Sequence, residues 1–112
     1  MGWNPFDAGS TLGQVGSEQG RIVLDEESDA GARITLEAIP RPWLAWLSGR
    51  RRPAFAITCG VYGLMLHTRF FGSEREAKTE YERMKPRLEA IAELDDREAS
   101  GLAASAFVDD FS

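Results

Sequence analysis

"ARITLEAI", residues 32–39, alternates apolar and polar side chains one by one, and this alternation decides the fold class. Ile34, Leu36 and Ala38 fall on one side, with Arg33, Thr35 and Glu37 opposite. That is the pattern of a strand buried on one face. Just upstream, "RIVLDE" (21–26) places Ile22 and Leu24 together, and the intervening "ESDAG" holds Asp29 and Gly31, residues suited to a hairpin turn. Downstream, "AFAITCGV" (54–61) groups Phe55, Ile57, Cys59 and Val61. "LMLHTRFF" (64–71) groups Leu64, Leu66, Thr68 and Phe70, leaving Met65, His67, Arg69 and Phe71 on the other side. Gly60 and Gly63 flank the join, which reads as a second hairpin with room for a bulge.

A helix follows in "SEREAKTEYERMKPRLEAIAELDD" (73–96). Ser73 with Glu76 three residues on is a capping box, and Glu74 and Glu76 suit the positive end of the helix dipole. Ala77, Tyr81, Met84, Leu88 and Ile91 recur at spacings of four and three, a single apolar stripe. Pro86 removes one backbone donor and crowds the preceding turn, but the stripe keeps its phase from Met84 to Leu88. One helix kinked near residues 82–86 is therefore predicted.

Strands followed by a helix indicate an α+β fold. The expected architecture is a four-stranded antiparallel sheet made of two hairpins, with one long C-terminal helix packed on one face. Residues 21–99 form this single ββββα domain. Residues 1–20 hold five glycines and no sustained apolar period, and read as an irregular arm that Trp3 and Phe6 anchor. Residues 100–112 read as an acidic, partly flexible tail.

The 112 residues suit one domain, and 43% hydrophobic with 28% charged residues is ordinary for a soluble globular protein. Thirteen basic against eighteen acidic side chains leave a net charge of -5, which opposes a nucleic-acid partner because phosphate contact needs a positive field. A single cysteine forms no internal disulfide, the first residues lack the basic start and apolar run of a signal peptide, and no apolar stretch reaches the ~20 residues of a membrane helix. The expected location is cytoplasmic.

Chemistry-bearing residues are few. Cys59 and His67 sit on neighbouring strands, but the alternation above puts them on opposite faces, so Cys59 reads as a buried apolar side chain. One histidine and one cysteine make no metal set, and "DEESDAG" (25–31) lacks the ligand pattern of a calcium loop. "GSTLGQVGSEQG" (9–20) is glycine-rich but matches neither a P-loop nor a dinucleotide fingerprint. No metal or cofactor is expected.

Two readings of function remain. The first rests on "RPWLAWLSGRRRP" (41–53), which joins the two hairpins. A helical turn there would align Trp43, Trp46 and Leu47 beside Arg50, Arg51 and Arg52. Such a surface would either close one end of the core or meet a protein partner, since Trp and Arg are enriched at binding hot spots. One turn buries too little area for a membrane anchor. The expectation is a small non-catalytic protein-interaction domain, self-associating (a homodimer, for example) or acting as an adaptor or acidic inhibitor. The alternative is a small anionic-ligand binding protein or enzyme using Arg33, Glu37, His67 and Arg69 on the open sheet face, with Glu37 as acid–base partner to His67.

Overall fold

In the computed structural model, which describes residues 2–39, 54–94 and 97–112, the alternating stretch forms the middle strand of a five-stranded antiparallel meander. Its strands are β1 (Trp3–Pro5), β2 (Arg21–Ser28), β3 (Ala32–Ala38), β4 (Phe55–Val61) and β5 (Met65–Phe71), each beside the next. The tryptophan-arginine stretch, with Trp43, Trp46, Leu47, Arg50, Arg51 and Arg52, lies outside the described residues.

One strand more is present than the sequence suggests. β1 pairs with β2 through Trp3 opposite Ser28 and Pro5 opposite Glu26. Three residues ending in proline are too short to show an alternation, and an outer strand is where proline is tolerated.

Two helices, α1 (Glu74–Ala92) and α2 (Arg97–Asp110), cover one face of the sheet. The Ser73 hydroxyl caps α1 by accepting the Glu76 N–H at 3.2 Å. The stripe Ala77, Tyr81, Met84, Leu88 and Ile91 is buried throughout, against Ile34, Leu36, Ile57 and Cys59 of the sheet. α1 runs unbroken through Pro86, whose ring points to solvent. The residues expected to form a flexible acidic tail instead make α2, which folds back along α1. Phe107 and Phe111, one helical turn apart, are buried with Ala104, and Arg87 bonds Asp110 at 2.6 Å. Small residues around those aromatics hide the stripe from a reading by composition.

The β4–β5 hairpin corrects the expected faces. Tyr62, Gly63 and Leu64 form its loop, with Gly63 in the left-handed region at φ 72°, and Val61 stands opposite Met65. Met65 therefore inherits the helix face of Val61 and Cys59. His67, Arg69 and Phe71 follow it there, and Leu66, Thr68 and Phe70 turn to the other side. A shift of register between Ile22 and Leu24 separates that pair too: Leu24 stands beside Leu36 on the helix face, Ile22 beside Glu37 on the opposite one. A one-residue slip reverses every side chain beyond it, and turn length sets that slip.

If α2 belongs to the core, Phe107→Ala lowers unfolding stability by about 3–5 kcal/mol in a urea titration. A loss no larger than the ~0.5 kcal/mol typical of surface positions would mean that α2 is only loosely attached.

Candidate functional site

The face away from the helices is not an open sheet. Residues 10–20 lie across it, pinned by two buried carboxylates. Asp25 on β2 stands opposite Thr35 on β3. It accepts Arg33 Nε at 3.0 Å and Nη2 at 2.8 Å, the Thr35 hydroxyl at 3.2 Å, and from the arm the Thr11 hydroxyl at 2.8 Å. Bonding to Asp25 raises the Arg33 pKa further above its ordinary value. The Arg33 guanidinium also lies over the Phe6 ring, 3.5 Å from its centroid.

Glu37, on the same face, has none of its surface exposed. Its carboxylate accepts the Glu18 N–H at 3.1 Å, the Gly20 N–H at 3.1 Å and the Ser17 hydroxyl at 3.4 Å. The tight turn that presents these donors is closed by Gly16 N–H to the Gly20 carbonyl, with Gln19 in the left-handed region at φ 67°. Amides gathered in this way suit an anion. The arm approaches so closely because Gly16 and Gly20 lack side chains. A Cβ at Gly16 would run into the Glu37 side chain, and one at Gly20 would sit 2.9 Å from the Ala38 carbonyl oxygen.

Between the arm and the β4–β5 hairpin lies an open groove of about 520 Å³, lined in part by Thr11, Val15, Ile22, Thr35, Thr58 and Leu66. Exposed apolar side chains surround it. Tyr62 is 96% exposed, Leu66 79% and Val15 63%; Leu12 and Phe70, each near one half exposed, lie outside its lining.

Of the four residues expected to share a ligand site, Arg33 and Glu37 are on this face, and both are engaged as described. His67 and Arg69 are on the helix face. There the His67 Nε2–H donates to the Phe111 carbonyl at 2.9 Å, its ring meets Phe107 edge-on, and Arg69 reaches Glu80 at 3.4 Å. The hairpin phase is the cause, and the sheet itself separates the two pairs. The same phase brings Cys59 opposite His67 on one face, against the expectation from alternation. Burial pushes the Cys59 thiol up to about 12, so it is protonated at neutral pH and no nucleophile. Among the described residues no group of three or more His, Cys, Asp or Glu side chains is placed to hold a metal ion. None of their helices is long and apolar enough to cross a membrane.

Asp25, Thr11 and Ser17 are the organising residues that periodicity misses. A carboxylate inside an alternating strand is the available signal, as it demands partners once covered. No protein-family model matches the chain, and neither a curated protein nor a solved structure is significantly similar to it.

Glu37→Ala leaves two arm amides without their acceptor, so amide exchange at Glu18 and Gly20 speeds up and stability falls by about 1–3 kcal/mol. Unchanged exchange would show that the arm is held by other means. Separately, Cys59 resists a thiol-specific chromogenic reagent at neutral pH in the folded chain and reacts fully in urea; rapid labelling without denaturant would contradict its burial.

Proposed function

We propose that this chain is a small non-catalytic protein-interaction domain whose contact surface is the arm-covered sheet face and the adjoining β4–β5 hairpin. One observation carries the reading: Val15, Tyr62 and Leu66 stand exposed together along the groove, with Phe70 exposed on the same face of β5, while Asp25, Arg33 and Glu37 of that face are engaged in holding the arm. Apolar side chains clustered this way mark a surface that another protein covers. An aromatic such as Tyr62, fixed by few rotatable bonds, loses little entropy when a partner orders it.

The buried polar network supports the same reading. Asp25 and Glu37 make the face stiff, since moving the arm would strip partners from buried carboxylates. A stiff apolar surface binds without first having to be ordered. Its threonines, Thr35, Thr58 and Thr68, add short hydroxyl groups but no ionised centre. The Thr58 and Thr68 hydroxyls already lie 3.3 Å apart. Ligand capture by Arg33, Glu37, His67 and Arg69 acting together has no geometric support, because the sheet lies between the two pairs.

The test is a photo-activatable phenylalanine analogue at position 15, used in cells that make the chain naturally, with the same analogue at Glu82 on the charged side of α1 as control. Discrete adducts identified by mass spectrometry, formed from position 15 and not from position 82, are expected. Absence of any adduct from position 15, or equal adducts from both, would overturn the reading.

A further inference from the structure

The two outer strands of the sheet are built differently. β1 has three residues and contains Pro5, which shortens its pairing edge and removes a donor. β5 has seven residues, with neither glycine nor proline and a regular register to β4 from end to end. Among the described residues no strand pairs with its outer side.

The hydrogen-bond phase shows what that side offers. Ile39 N–H donates to the Ala54 carbonyl at 2.7 Å and Tyr62 N–H to the Gly31 carbonyl at 3.0 Å, one at each end of the β3–β4 ladder. In an antiparallel ladder both backbone groups of a residue point to the same neighbour, and the direction alternates along the strand. Ala56, Thr58 and Gly60 therefore face β3, while Phe55, Ile57, Cys59 and Val61 face β5. Their partners on β5 are Phe71, Arg69, His67 and Met65. Leu66, Thr68 and Phe70 consequently direct both amide and carbonyl away from the sheet.

These same three residues carry the side chains of the arm-covered face, Leu66 and Phe70 among its most exposed. A two-fold axis through Thr68 pairs Thr68 with its own copy, Leu66 with the copy's Phe70, and Phe70 with the copy's Leu66. All three are then hydrogen-bonded pairs, two bonds each, and no donor or acceptor is left over. Each leucine lies across from a phenylalanine, so apolar side chains meet across the seam and leave water together. Self-complementarity of this kind is what a two-fold interface requires. Phe107 and Phe111 meet His67, so α2 lies on the β5 side of α1. The exposed side chains of α2 include Leu102, the short Ser105 and Ala106, and Asp109 and Asp110 near its end.

Resting on the interaction reading above, we propose that the partner is a second copy of this chain, joined through β5 edge to edge so that two five-stranded sheets become one. The Leu66 side of each groove then continues onto Phe70 of the other copy.

Sedimentation equilibrium over a range of concentrations, combined with amide hydrogen exchange on the full chain, tests this. The weight-average mass is expected to rise to twice that of one chain. Amides of Leu66, Thr68 and Phe70 become protected as the dimer forms, while those of His67 and Arg69 are protected at every concentration. Thr68→Pro removes an outward backbone donor together with the hydroxyl beside Thr58, and Leu66→Lys with Phe70→Lys places charge on the edge; each is expected to give a folded monomer. If one variant fails to fold, the other and the wild-type exchange pattern still decide. A dimer whose 66, 68 and 70 amides exchange freely would overturn the β5 interface. A wild type that stays monomeric would overturn the second copy as partner. Position 15 cross-linking to a different protein would then leave the broader reading standing, and no cross-link at all would end both.

Discussion

A carboxylate with no exposed surface sits in the central strand of the sheet, and the face around Glu37 is arranged to satisfy it. An ionised group out of water is tolerated only when its oxygens are fully hydrogen-bonded. On the helix side β3 presents Ile34 and Leu36, and Glu37 points the other way. The donors must come from the other side, and the arm brings them as two backbone amides and a serine hydroxyl. Asp25 repeats the logic one strand away, with Arg33, Thr35 and Thr11. A glycine-rich stretch that would otherwise be mobile thereby becomes a second layer over part of the sheet.

The layer is incomplete, and its boundary creates the candidate surface. The arm covers the half of the face nearest β2 and β3. Beyond it, β4 and β5 present threonines, Leu66 and Phe70, and the hairpin tip presents Tyr62. On the opposite face, α1 and α2 close the core fully, with Tyr81, Phe107 and Phe111 as its large side chains. The Tyr81 hydroxyl is buried as well and donates to Glu26 at 2.7 Å, a carboxylate that Lys85 also reaches at 3.0 Å. Both burial and that bond push the tyrosine pKa up from its ordinary value. The Tyr81 hydroxyl and the Lys85 ammonium are thus both tied to β2.

Much of the scaffold was legible residue by residue. Ile34 and Leu36 do face the helices, the Ser73 cap does begin α1, and the stripe from Ala77 to Ile91 is buried as its spacing predicts. These features depend on neighbours within a few positions. β1 and α2 were not legible, because three residues show no period and Phe107 and Phe111 stand among small and acidic neighbours. For the candidate surface, Arg33 and Glu37 were placed on the correct face but read as available groups. His67 and Arg69 were placed on the wrong one.

By itself the sequence determined the antiparallel strands, their order in class before the helix, the start of α1 and the face that α1 buries. Each follows from local stereochemistry: the two-residue period of a strand, the 3.6-residue period of a helix, and the unsatisfied amides at a helix start. Only the tertiary structure decided which face β5 shows, where the arm lies and which carboxylates it satisfies. A turn's length and one bulge at Val23 shift a register without changing any local pattern, yet they reverse every side chain that follows. The bonds from Ser17 and Gly20 to Glu37 join residues seventeen or more apart in the chain, so no short-range regularity records them.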